Sequence, residues 1–173
     1  KDGRTVSIAR QPDEREKKDL LFGWQVEQGV TSNSVLFVKN ETTVAIGAGE
    51  QDRVGVAEIA MFKAYKKKAD DIAFRTRGML FFEVELKEKD GALPAGTADA
   101  IKAEAEAEKG GLIGAAAVSD AFFPKRDGID AIAKHGVGSV IQPGGSLADR
   151  EIIQAVNEHG MAMVFTGQRA FKH

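Results

Sequence analysis

The spacing of hydrophobic and polar positions changes several times along the chain, and each change marks an element. Thr5–Ala9 is a β-branched run that predicts a strand, broken by Arg10-Gln11-Pro12-Asp13. Asp13 suits a helix N-cap. The helix it opens runs to about Gln28, with Leu20, Leu21 and Trp24 on one face and Trp24 as a core anchor. Ser34–Lys39 and Thr43–Ala48 read as strands around a short polar turn. A helix follows through Val56, Ile59, Ala60, Lys63 and Ala64, and residues 66–71 read as a solvated charged patch. In Met79–Leu86, Phe82, Val84 and Leu86 alternate with charged residues, which predicts a strand. Asp90-Gly91 reads as a turn and Pro94–Gly96 as a loop. Thr97–Lys109, rich in Ala and Glu, reads as a surface helix.

From Leu112 the pattern becomes regular. Leu112–Ser119 reads as a buried strand, Arg126–His135 as a helix closed by Gly136, and Ser139–Gln142 as a strand. A helix capped near Ser146 or Asp149 and closed by Gly160 comes next, then a strand over Met161–Thr166. This order predicts an α/β fold: a three-layer α/β/α unit on a mostly parallel mixed sheet, with ligands at the carboxyl ends of the strands.

Composition narrows the chemistry. The chain has 173 residues, enough for one domain, with 43% hydrophobic and 29% charged residues. It has no cysteine, which excludes disulfides and thiolate zinc sites. A net charge of −2 gives no general attraction to nucleic acid or membrane, and no apolar run approaches the roughly 20 residues of a membrane span. Lys1-Asp2-Gly3-Arg4 does not lead into a signal-peptide core, so a cytoplasmic protein is expected.

Three loops carry candidate chemistry. Gly47-Ala48-Gly49 lacks the third glycine of a dinucleotide fingerprint at its required offset and the Gly-Lys-Ser/Thr of a P-loop. It reads either as a turn needing small residues or as backbone N–H groups that, with Arg53, face an anion. Ser119–Gly128 places two aromatics and a proline between a strand end and a helix, suited to stacking on a flat heterocycle or to a hydrophobic staple. Gln142-Pro143-Gly144-Gly145-Ser146 is a tight turn or a place where a ligand meets backbone. His135 and His159 precede helix-ending glycines and show no metal-ligand spacing.

In order along the chain, these stretches resemble the C-terminal part of the AICAR formyltransferase region in the bifunctional purine enzyme that is also an IMP cyclohydrolase. The resemblance is carried by Arg10-Gln11-Pro12, Ser32-Asn33-Ser34, Gly47 through Arg53, Ser119 through Asp130, Gln142 through Ser146, and Arg169-Ala170-Phe171-Lys172-His173. It implies one cytidine-deaminase-like subdomain over residues 1–173, without zinc, interrupted by an α+β insertion around 66–111. It implies formyl transfer from 10-formyltetrahydrofolate, as co-substrate, to the 5-amino group of AICAR. Asn33 and Asp127 would be the catalytic residues. Arg53, Phe122, Pro124, Gln142, Gly144, Arg169 and Phe171 would bind substrate, with Arg169 on the phosphate and Phe171 against the imidazole. Ser32, Ser34 and Asp120 match a loop that holds potassium in some members.

Two departures stand out. The family usually has serine where Asp52 stands, a carboxylate that would pull on Arg53, and phenylalanine where Lys125 stands. The family's Lys-His pair lies in a first subdomain outside the matching region, and Lys134-His135 reads as a surface helix end. The resemblance therefore implies a homodimer or a partner chain that supplies the first subdomain. The alternatives are a non-catalytic nucleotide- or folate-binding paralogue and a structural subunit.

Overall fold

A computed structural model of the chain describes residues 6–172. Helix α1 (Glu14–Glu27) starts where Asp13 accepts the Glu16 N–H and Glu16 accepts the Asp13 N–H, a reciprocal capping box. Strands β1 (Val35–Lys39) and β2 (Thr42–Gly47) pair as a hairpin. Asn40 and Glu41 at its tip both have positive φ, which two-residue hairpin turns require. Helix α2 (Arg53–Arg77) follows, closed by left-handed Gly78, then α3 (Phe81–Lys89) and α4 (Thr97–Ala107). The rest alternates: β3 (Ala116–Ser119), α5 (Asp127–Lys134), β4 (Ser139–Gln142), α6 (Asp149–Glu158) and β5 (Ala162–Phe165).

The strands form one sheet in the order β2-β1-β3-β4-β5. β1 is antiparallel to both its neighbours, whereas β3, β4 and β5 run parallel. The sheet is thus evenly mixed rather than mostly parallel. Side-chain alternation builds two cores. Val35, Phe37, Ala117, Val140 and Met163 face α2, α5 and α6. Leu36, Val38, Val118, Ile141 and the half-buried Val164 face α1, where Leu20 is buried and Trp24 half-buried. Both faces of the sheet are therefore covered, as three layers require. Leu21 is exposed, so the apolar face of α1 is narrower than its sequence suggests.

Several elements differ from the sequence reading. Thr5 lies outside the described residues, and Val6–Ala9 is not a strand; Arg10 alone makes a parallel bridge to Ala162. Residues 66–71 continue α2, and the strand expected over Leu112–Ser119 pairs only from Ala116. Met79–Leu86 is largely helical. There Glu83 accepts the Leu80 N–H at 2.8 Å and Asp70 accepts the Phe81 N–H at 3.0 Å, satisfying the free donors of the first turn. Only Val84 is buried, against α2 and α4, while Phe82 and Leu86, four residues apart, face out. The segment expected to be α+β is helical, with a small core from Ala69, Ile72, Ala73, Val84, Ala98, Ile101 and Ala105.

Candidate functional site

The antiparallel pairing of β1 sets the site. Val35 at the start of β1 lies opposite Ser119 at the end of β3 and Gly47 at the end of β2. One end of the sheet therefore gathers the loops before β1, after β2 and after β3. Gly47 allows the close approach of β2 to α2, since a Cβ there would meet the Val56 carbonyl oxygen at 2.3 Å.

At this end Asp120 is fully buried and ion-paired with Arg53, which is 7% exposed. One carboxylate oxygen accepts from Arg53 Nη1 and from the Ser34 N–H; the other accepts from the Ser32 hydroxyl. Arg53 Nη1 also donates to the Ser34 carbonyl at 2.7 Å, and Nη2 donates to Asn33 Oδ1 at 3.0 Å. Asn33 Nδ2 in turn donates to the Glu50 carbonyl at 2.9 Å. Two charges this deep hold together because both Asp120 oxygens and both Arg53 Nη atoms are hydrogen-bonded, although Arg53 Nε has no partner among the described residues. Beneath them Glu27 is fully buried; its Oε1 accepts from Ser34 Oγ at 2.5 Å and its Oε2 has no partner. Burial pushes the Glu27 carboxyl up to about 7, helped by the Asp120 charge and opposed by the Ser34 bond.

Over this network opens a cleft of about 300 Å³, lined by Asn33, Gln51, Asp52, Arg53, Ala121, Phe122, Pro124, Arg169 and Phe171. Two backbone hydrogen bonds fasten the tail above it. Ala170 N–H donates to the Asp120 carbonyl at 3.0 Å, and Ser32 N–H donates to the Lys172 carbonyl at 2.9 Å. The Arg169 guanidinium carbon lies 5.1 Å from the Phe122 ring centroid and 5.4 Å from that of Phe171.

Six of the nine residues expected for catalysis or substrate binding meet here: Asn33, Arg53, Phe122, Pro124, Arg169 and Phe171. The other three lie elsewhere. Asp127 is exposed in the first turn of α5 and accepts the Gly128 N–H. Gln142 is fully buried, accepting the Phe123 N–H at 2.8 Å and donating to the Met163 sulfur. Gly144 has positive φ and packs under Phe165. Asp52 does not pull on Arg53; it caps α2 through the Gly55 N–H at 2.7 Å, and Asp120 holds Arg53 instead. In the loop after β2, the Gly49 and Glu50 N–H groups already bond to the Thr31 and Asn33 carbonyls. Lys134-His135 lies away from the cleft, where Tyr65 bonds to His135 Nδ1 at 2.8 Å.

Glu27 was missed from the sequence, although a signal existed. It follows Leu20 and Gly23 at the spacing of the buried face of α1, and an acid on such a face calls for a buried partner.

Fold and cleft together define a three-layer α/β unit with an aromatic and cationic pocket at the carboxyl end of its central strand. The model of the AICARFT/IMPCHase bienzyme family matches residues 1–63. The chain is 44% identical over 168 residues to the bifunctional purine biosynthesis protein PurH of Magnetococcus marinus, a match covering 97% of this chain and 25% of that protein. It is 40% identical to PurH of Persephonella marina over 97% of this chain and 25% of that protein. PurH of Xanthomonas oryzae pv. oryzae is 39% identical over 98% of this chain and 24% of its own length. The chain thus spans about a quarter of the curated relatives it matches.

Proposed function

We propose that this chain is the substrate-binding half of a formyltransferase site that accepts AICAR and 10-formyltetrahydrofolate in purine biosynthesis. The observation that carries the reading is the meeting of Asn33, Arg53, Phe122, Pro124, Arg169 and Phe171, from four separate stretches, around one cleft. The amine to be formylated is conjugated to its imidazole and is a poor nucleophile, so placement and charge stabilisation supply most of the rate. Asn33 is fixed by Arg53 and the Glu50 carbonyl, and in this reading it orients the carboxamide and amine edge. The aromatic side chains and Pro124 take the flat ring, and Arg169 forks onto the phosphate. Arg53, already bonded within the protein, acts by holding Asn33 rather than by gripping substrate. Asp127 reaches the reaction only if the folate extends toward α5.

Ser32, Ser34 and Asp120 suit a potassium ion as a set of hard oxygen donors, and Glu27 adds an orphaned buried carboxylate oxygen beside them. Such an ion would supply fixed positive charge that steadies this loop. The Lys-His pair would come from a first subdomain, in a homodimer or a partner chain. AICAR-dependent release of tetrahydrofolate, assayed with the chain alone and mixed with a candidate first half, tests the proposal; no turnover in either case counts against it. A second reading, a non-catalytic nucleotide-binding module, is favoured by the internal commitment of Arg53. Calorimetric binding of both AICAR and folate with no turnover in either mixture would select it.

A further inference from the structure

Arg169 lies against the two aromatic rings on which a flat ligand in the cleft would stack. Its guanidinium lies against both Phe122 and Phe171, whose rings line the same cleft. A guanidinium is itself a flat, delocalised cation that stacks on aromatic faces as a heterocycle does. Among the described residues no carboxylate pairs with Arg169, so the rings are the partners that hold it in the cleft. The backbone after it is fastened through Ala170 and Lys172 and the backbone before it by the Gly167 N–H, which donates to the Pro143 carbonyl, while the Arg169 side chain is exposed. The part that can move is therefore the side chain alone.

We infer that Arg169 is a specificity-determining residue that acts in both states of the cleft. In the free chain its guanidinium fills the slot beside Phe122 and Phe171, and a flat ligand enters only by displacing it. A neutral base or nucleoside must break these ring contacts and offers the cation nothing in return. A nucleotide breaks the same contacts and gives the displaced guanidinium a phosphate to pair with. One side chain thus selects phosphorylated ligands twice, by excluding the neutral form and by retaining the anionic one. This rests on reading the cleft as an AICAR site, which by itself asks only that Arg169 bind phosphate.

Calorimetric titration of the 173-residue chain with AICAR and with its dephosphorylated riboside tests the inference. Arg169→Ala should weaken the nucleotide by about 30-fold, the loss of a charge-assisted fork. The same change should tighten the riboside about fivefold, because the slot is then open. Arg169→Lys keeps the charge but loses the flat fork. It should also tighten the riboside while weakening the nucleotide less than Ala does. In the free chain, NMR should find Arg169 side-chain protons shifted upfield by the two rings, with the shift lost when AICAR is added. If wild type binds AICAR and Arg169→Ala leaves riboside affinity unchanged or lower, the displacement inference fails and the nucleotide reading stands. If wild type binds neither ligand, the reading beneath it fails and the inference goes with it.

Discussion

Phe122 and Phe123 are neighbours with opposite placements. Phe123 is fully buried in the main core, and its ring lies against Gly128, where a Cβ would approach to 2.6 Å. Phe122 turns into the cleft. Phe123→Ala should cost about 3–5 kcal/mol in urea unfolding, whereas Phe122→Ala should stay within about 0.5 kcal/mol while weakening AICAR binding. The motif around them was legible as unusual, but alternation cannot tell which of two adjacent rings a turn will bury. Arg10 shows a second residue-scale effect. It grips the buried Glu16 with both Nη atoms at 2.8 Å and donates to the Gly138 and Gly160 carbonyls. The Arg10 hydrogen bonds hold the Glu16 carboxyl below its ordinary 4.5, against the cost of its burial. A depressed carboxylate contributes stability that is present above its unfolded value and lost as pH falls through the folded one. Arg10→Met should therefore lower stability by about 2 kcal/mol near pH 7. The gap from wild type should shrink below about pH 4.5, read as urea midpoints across the acid range.

At the scale of elements, α1 crosses the sheet at a glycine. A Cβ on Gly23 would meet Val118 Cγ2 at 2.5 Å and Val38 Cγ2 at 3.0 Å. Helix propensity alone favours Ala over Gly by about 1 kcal/mol, but forcing α1 off the sheet costs about 1–3 kcal/mol. Packing should win, so Gly23→Ala should lower the thermal midpoint, and a higher midpoint would refute the close crossing. The α3 segment makes a related point. Its alternating pattern fits a strand, yet Glu83 and Asp70 satisfy its first N–H groups, and buried Val84 with half-buried Phe81 completes a helical core. Over nine residues a period of two and a period of 3.6 share too many positions to be separated by sequence.

On the scale of the molecule, the described residues bury two sheet-facing clusters and a separate helical one. The last joins the rear of α2 to α3 and α4. It is small, rich in alanine and remote from the sheet, so it should open in a sub-global step of its own. Hydrogen exchange should show amides of α3 and α4 less protected than those of β1 and β3. Val84→Ala should speed exchange in α3 and α4 and leave the strands unchanged; equal acceleration everywhere would mean one cooperative unit. Among the described residues no helix is long and apolar enough to cross a membrane. The sequence by itself determined the β-α-β-α-β run after Leu112, the hairpin and the capped α1, because periodicity, caps and turn residues act over a few neighbours. It also marked most of the residues that line the cleft. Only tertiary structure decided that β1 runs antiparallel to β3, and this brings Ser32–Ser34 beside Asp120. The same pairing commits Arg53 to a buried acid and leaves Glu27 beneath it, while separate packing buries Gln142 against Phe123 and Met163 and leaves Asp127 exposed on α5, since strand direction and side-chain burial depend on partners far along the chain.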